Sequence, residues 1–133
     1  MKRMNLIVIF DRNIEKILMC KRTKEPYIGK YNFVGGKIES NNRVDESYRE
    51  LFEETNITSD DVSLIYFMNL TYIKWNIELE VYYGILNKEV ELKEEVNKLE
   101  WIPMNDNFFN MTKYAGEGNI GHIIEEIKND IKK

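Results

Sequence analysis

The sequence has few of the residues that support thiol or histidine chemistry. It contains one cysteine, Cys20, and one histidine, His122, among 133 residues. A single cysteine excludes an internal disulfide. A cysteine–histidine nucleophile pair has no supporting motif either, because His122 lies in a C-terminal stretch with helical spacing. Cys20 falls within an apolar strand pattern, and we expect it to be a small core residue.

Long hydrophobic runs and an excess of positive charge are also missing. No stretch has the length or composition of a secretory signal or a membrane span, so we expect a cytoplasmic protein. The net charge of −4 argues against binding to a nucleic acid polymer or an anionic membrane, since both depend on a positive face. A free nucleotide is not excluded, because Mg²⁺ bridges phosphate oxygens to protein carboxylates.

The composition that is present, 43% hydrophobic and 12% aromatic, is typical of one globular domain covering residues 1–133. Hydrophobic periodicity predicts five strands, at residues 4–10, 16–21, 62–73, 76–86 and 99–103, and two helices, at residues 43–54 and 121–132. The first two strands and the next two each read as a hairpin. Strands and helices in this order predict an α/β fold in which a mixed sheet lies between helices.

Two faces are predicted in more detail. Val44, Tyr48 and Leu51 have the spacing of an apolar helix face, opposite most of the acidic residues. In the fourth strand, odd-numbered apolar residues alternate with Glu78, Glu80 and Tyr82, which predicts a sheet with only one face buried.

Residues 35–57 are the most informative stretch, because they join a Gly-Gly turn to a helix rich in carboxylates. Glu46, Glu50, Glu53 and Glu54 are three or four residues apart, so they share one helical face and repel one another. A divalent cation would cancel that repulsion. The ordinary alternative is a solvated acidic surface, which the adjacent Gly-Gly and the Arg-Glu-Leu-x-Glu-Glu order make less favourable.

This stretch resembles the Nudix box, in which a glycine and a Glu-rich loop precede Arg-Glu-Leu-x-Glu-Glu-x-Gly-Ile. The matching residues are Arg49, Glu50, Leu51, Glu53, Glu54 and Ile57. The loop is one residue shorter than the family pattern, and Asn41-Asn42 replace its Gly-Glu pair. Asn42 is nevertheless a good N-cap, and Asn56, which replaces a glycine, is the next best residue for a left-handed backbone.

The resemblance implies the α/β/α Nudix fold and a metal-dependent hydrolase. It implies that Mg²⁺ or Mn²⁺ is held by the Gly35 carbonyl and the carboxylates of Glu50, Glu53, Glu54 and Glu95. The three helical glutamates are also the implied catalytic residues. Gly36 and Arg49 are interpreted as structural, with Arg49 orienting a glutamate one turn away. For Glu95, a solvated charge run with its acidic neighbours is an equal alternative.

Phosphate and base recognition follow from the same resemblance. Arg22 is the implied phosphate-binding residue, with Lys37 as a lesser candidate, and an exposed strand-end arginine is the alternative. Tyr31 and Asn32 resemble a pair that contacts the base. Asn119 resembles a guanine-reading asparagine, or it only caps the last helix.

The favoured activity is that of a MutT-like nucleoside triphosphate pyrophosphatase, which releases a nucleoside monophosphate and pyrophosphate. Oxidised purine nucleotides such as 8-oxo-dGTP are the favoured substrates. Hydrolysis of ADP-ribose, dinucleoside polyphosphates or another dNTP is an alternative within the same class. A nucleotide-binding regulator without turnover is the alternative from another class, although the intact glutamates argue against it. Both a monomer and a homodimer are compatible with the sequence.

Overall fold

The computed structural model describes residues 1–39, 41–94 and 97–133, which contain six strands and two helices. The strands are β1 (Lys2–Phe10), β2 (Lys16–Lys21), β3 (Tyr31–Asn32), β4 (Ile65–Tyr72), β5 (Ile77–Ile85) and β6 (Leu99–Pro103). The helices are α1 (Arg43–Thr55) and α2 (Asn119–Ile131). Neither helix in this described part of the chain is long and apolar enough to cross a membrane.

The six strands form one mixed sheet, as predicted. β1 is parallel to β5 and antiparallel to β2, and β4 is antiparallel to β5. β6 occupies one edge of β2, while β1 and β3 share the other edge at different positions. The chain after β3 then runs along β1, where the Ile7 N–H donates to the Val34 carbonyl over 2.8 Å. Residues 31–38 therefore form a wedge between β1 and β2, and this wedge holds the Gly-Gly turn within the sheet.

The sheet has an apolar core on each face, as the predicted α/β/α arrangement requires. Alternate residues of β1 point to opposite faces. Val8 and Phe10 belong to the core that contains the apolar face of α2, whereas Ile7 and Ile9 belong to the core that contains Leu51 of α1. Cys20 is buried in the second core, as predicted.

Local capping explains where α1 begins and ends. The Asn42 side chain accepts a hydrogen bond from the Asp45 N–H over 3.2 Å, so the shortened loop still starts the helix. Asn56 ends the helix in a left-handed conformation, with φ of 71°, and its N–H donates to the Phe52 carbonyl. Both capping predictions are confirmed.

Two predictions about which faces are buried were wrong. Val44 does not belong to a buried helix face, since it is 52% exposed, and the buried positions on that helix include Ser47 and Leu51. The second face of β5 is also buried, because Glu80 is fully inaccessible and Tyr82 is nearly so. Long-range partners explain this burial. Arg3 donates to Glu80 over 2.7 Å, which neutralises a carboxylate that the alternation pattern assigned to solvent.

Candidate active site

The acidic face of α1 lies against the Gly-Gly turn of the wedge. The Gly35 N–H donates to Glu54 Oε2 over 3.3 Å. Gly36 lies close to Glu50, and a Cβ added to Gly36 would be 2.5 Å from Glu50 Oε2. Because such a contact is too short for any side chain, glycine at position 36 leaves the Glu50 carboxylate in its place.

Arg49 lies among the carboxylates on the outer side of α1. Its guanidinium donates to Glu46 over 2.6 Å, to Glu50 over 3.0 Å and to Glu53 over 2.9 Å. These contacts raise the pKa of Arg49, mainly through its hydrogen bonds to Glu46 and Glu53. The arginine therefore fixes the orientation of three carboxylates and offsets part of their mutual repulsion.

The pKa values of the two inner carboxylates, Glu54 and Glu50, are both raised. The pKa of Glu54 is raised to about 7, mainly by burial; the Gly35 N–H opposes the shift, and the charges of Glu50 and Glu53 contribute to it. Burial also raises the pKa of Glu50, and the nearby Arg49 limits that rise. A bound cation is the kind of partner that would stabilise both ionised groups.

The donor chemistry at the turn fits a hard divalent cation. Glu50, next to Gly36, and Glu54, next to Gly35, are partly buried oxygen donors, and Mg²⁺ and Mn²⁺ prefer such ligands. Glu53 has a more exposed side chain and is paired with Arg49. Glu95 lies outside the described residues. Within the described ranges, no three His, Cys, Asp or Glu side chains are grouped so as to hold a metal ion by themselves, so Glu50 and Glu54 provide only part of the ligand set that a cation would need.

Two cavities adjoin this turn. The carboxylate cavity, about 200 Å³, is lined by Glu54 and by basic residues that include Arg22 and Lys24. The aromatic cavity, about 90 Å³, is lined by Tyr27, Phe33, Tyr72 and Trp75, by Asn5 and Asn32, and by apolar residues of β1 and β5. Arg22, Phe33 and Gly35 line both cavities, so the two spaces meet at the guanidinium and the turn.

The structure brings some of the predicted phosphate and base residues to these cavities but not others. Arg22 lies at their junction, where its Nε donates to the Pro26 carbonyl over 2.6 Å. Asn32 lines the aromatic cavity. Tyr31 lies away from both cavities, with its ring near Tyr114 and its hydroxyl bonded to Glu100 over 3.3 Å. Lys37 is exposed and lines neither cavity.

Asn119 lies behind the wall of the aromatic cavity. It is the first residue of α2, whose N-cap is Gly118 and has no side-chain capping bond. The Asn119 amide donates instead to the Tyr72 hydroxyl over 2.6 Å, and Tyr72 lines the cavity. Asn119 therefore supports the wall rather than capping the helix.

Sequence analysis missed Tyr27, Tyr72 and Trp75 as cavity residues. Trp75 lies in the β4–β5 turn, and its indole N–H donates to the Tyr27 hydroxyl over 3.2 Å, with ring centroids 6.0 Å apart. An exposed tryptophan in a hairpin turn was an available signal, because a turn alone requires no large aromatic residue. Asn5 was a second available signal for this cavity, because it is a polar residue within the otherwise apolar strand β1.

A family model provides the decisive comparison. The model described as the NUDIX domain matches residues 1–122, which is most of the chain. The chain belongs to the Nudix family. This result confirms the resemblance and the fold drawn from the sequence.

Solved structures agree on the Nudix fold. The NUDIX domain of Shewanella oneidensis NrtR, complexed with ADP ribose, has a TM-score of 0.73 and 14% identity, covering 97% of this chain and 87% of that one. MutT, in a study of Aliivibrio salmonicida and Vibrio cholerae, has a TM-score of 0.69 and 20% identity, covering 96% and 98%. A C. elegans Ap4A hydrolase has a TM-score of 0.73 and 16% identity, again covering 96% and 98%. A search of curated proteins gives no significant match.

The raised pKa of Glu54 predicts a specific pH dependence of stability in this Nudix protein. The pKa is about 7 in the folded state against an ordinary value of 4.5, so the folded state holds the proton more tightly. This stabilisation is present at pH 4.5 and is lost as pH rises through 7. Without metal ion, we expect raising the pH from 5 to 8 to cost about 1–2 kcal/mol through Glu54, since partial solvent access reduces the full effect.

Thermal unfolding without metal ion at both pH values measures this loss. Glu54→Gln should remove most of it, whereas Glu53→Gln, at a more exposed position on the same helix, should retain it. An equal pH dependence in wild type and Glu54→Gln would show that Glu54 is not the group responsible.

Proposed function

We propose that this Nudix protein is a MutT-like nucleoside triphosphate pyrophosphatase with a preference for purine nucleotides, including oxidised ones. The proposal rests on the two adjoining cavities. A planar base suits the aromatic cavity, while phosphates suit the carboxylate cavity with its basic residues. The small volume of the aromatic cavity, about 90 Å³, favours a substrate with one base.

Mg²⁺ or Mn²⁺, when bound, neutralises phosphate charge and activates a water molecule. Glu50, Glu53, Glu54 and the Gly35 carbonyl are the proposed groups that hold the cation, together with Glu95. In the reaction the water oxygen forms a bond to phosphorus while a phosphoanhydride bond breaks. One of the helical glutamates accepts the proton of that water. The products are a nucleoside monophosphate and pyrophosphate.

We propose that residues around the junction of the two cavities position the substrate. Arg22 is the proposed phosphate ligand because its guanidinium borders both cavities, and a planar fork suits phosphate oxygens. Asn32 offers the base one donor and one acceptor. Tyr27 and Trp75 provide aromatic surfaces beside it. Asn119 acts on base choice through the Tyr72 hydroxyl.

A substrate panel with Mg²⁺ tests the proposal. The panel compares 8-oxo-dGTP, the ordinary dNTPs, ADP-ribose and diadenosine polyphosphates, with released products identified by chromatography. We expect the highest kcat/KM for a purine nucleoside triphosphate, with pyrophosphate as a product. A clear preference for ADP-ribose would replace the proposal with that alternative, and metal-dependent binding without any turnover would favour a regulator.

Variants of the cavity wall serve as controls in the same panel. Asn119→Ala and Tyr72→Phe each remove the hydrogen bond between these residues. If Asn119 acts through Tyr72, both should reduce the preference among nucleotides about equally, by roughly 10-fold, and should slow a poor substrate less. A larger effect of Asn119→Ala would instead indicate direct contact with the base.

A further inference from the structure

Asn5 is a polar residue held inside an otherwise apolar strand. It lies in β1 and is only 1% exposed. Its backbone N–H donates to the Gly36 carbonyl over 2.9 Å, and its side-chain Oδ1 accepts from the Gly36 N–H over 2.8 Å. Both polar groups of the Gly36 backbone therefore have Asn5 as their partner.

The contact between β1 and the turn is close as well as hydrogen-bonded. A Cβ added to Gly35 would be 2.1 Å from the Asn5 carbonyl oxygen. The turn thus lies directly against the Asn5 backbone. Since Gly35 also donates to Glu54, a movement of the turn away from β1 would change the position of the Glu54 partner.

Asn5 also contacts the helix that carries the glutamates. Its Nδ2 donates to the Ser47 hydroxyl over 3.5 Å, and Ser47 lies on the buried side of α1. The Ser47 hydroxyl in turn donates to the Arg43 carbonyl over 2.9 Å. One buried side chain therefore contacts both components of the candidate site, the turn and α1.

The chemistry of an amide explains why asparagine suits this position. A buried polar side chain costs free energy unless it is hydrogen-bonded, so an apolar residue would ordinarily be more stable in the middle of β1. An amide provides one acceptor for Gly36 and one donor for Ser47 without adding charge beside the glutamates. Leucine would leave the Gly36 N–H without this partner.

We propose that Asn5 is a positioning residue that fixes the Gly35–Gly36 turn relative to Glu50 and Glu54. This inference rests on the proposed function, in which the turn and these glutamates form the cation and phosphate site. Groups that orient metal ligands typically change metal affinity or activity by about 10- to 100-fold when they are removed. Asn5 also lines the aromatic cavity, but both ends of its amide are bonded within the protein, to Gly36 and Ser47, so it should affect cation binding and kcat more than nucleotide binding.

Asn5→Leu tests the proposal. We expect the Mn²⁺ concentration for half-maximal binding, followed by electron paramagnetic resonance of free Mn²⁺, to rise at least about 10-fold. We expect kcat to fall by a similar factor, with KM for the nucleotide within about threefold. Amide exchange of Gly36, measured by NMR, should become at least about 10-fold faster.

Tyr48→Phe is a matched control, because it also removes one hydrogen bond that anchors α1, from the Leu64 N–H to the Tyr48 hydroxyl over 2.9 Å. It should leave the Mn²⁺ midpoint and Gly36 exchange unchanged. If Asn5→Leu resembles Tyr48→Phe in all three readouts, the proposal is overturned.

Ser47→Ala provides a second variant if Asn5→Leu fails to fold. It removes the α1 end of the link and should raise the Mn²⁺ midpoint about threefold, and an unchanged midpoint would contradict the link. Metal binding and amide exchange require no substrate. They therefore separate a failure of this proposal from a wrong assignment of the reaction, which the wild-type substrate panel would reveal.

Discussion

We expect Glu54→Gln to lower kcat by at least about 100-fold, which corresponds to about 2.7 kcal/mol of lost transition-state stabilisation. Glu54 is the inner carboxylate that lines the carboxylate cavity and accepts from the Gly35 N–H. The glutamine side chain keeps nearly the same shape but has neither the charge that attracts a cation nor the basicity to accept a proton.

Steady-state kinetics at saturating Mg²⁺ measures the effect. Glu53→Gln should also lose activity, but less, because Glu53 lies on the outer side of α1 with Arg49. Glu126→Gln, an exposed change on α2, should retain wild-type turnover. Near-normal turnover in both α1 variants would mean that the catalytic role assigned to this helix is wrong.

Gly35→Ala should be strongly destabilising, by at least about 3 kcal/mol. The added methyl group would lie 2.1 Å from the Asn5 carbonyl oxygen, and φ at Gly35 is 148°. The obstacle is backbone within the sheet rather than the movable end of a side chain. Relief therefore requires the wedge to move away from β1, with loss of the hydrogen bonds that join them.

Denaturant unfolding of wild type and variant measures this loss. Gly29→Ala is the matched control, because Gly29 also has a positive φ of 81° but no atom within 4 Å of an added Cβ. The control should cost only about 1 kcal/mol, from backbone strain alone. If both variants lose the same free energy of unfolding, steric contact with β1 does not explain the glycine.

Features that depend on nearby residues were predictable from the sequence. The start of α1 needs only Asn42 and the N–H three residues later, and its end needs only Asn56 in a left-handed conformation. The apolar stripe of α2 likewise follows from helical spacing. Because these interactions lie within one or two turns of chain, the sequence pattern contains both partners.

Features that depend on distant partners were not predictable. Glu80 is buried because Arg3, 77 residues earlier, neutralises it, and no local pattern contains that pair. Tyr31 and Asn32 were predicted to contact one base together. Adjacent residues in a strand point to opposite sides, so only Asn32 of the pair lines the aromatic cavity. The aromatic surfaces beside it come instead from other segments, including Tyr27 and Trp75.

The parallel pairing of β1 with β5 has a consequence for synthesis of the chain on the ribosome. Lys2 pairs with Ile77 and Phe10 pairs with Ile85. Each residue of β1 is therefore synthesised about 75 residues before its partner in β5. At about 5–20 residues per second this interval is roughly 4–15 s. During that time β1, including Asn5, lacks the neighbouring strand that later holds it in the sheet. The glutamate helix forms from local signals, but the geometry of its site is completed only after the second hairpin has been made.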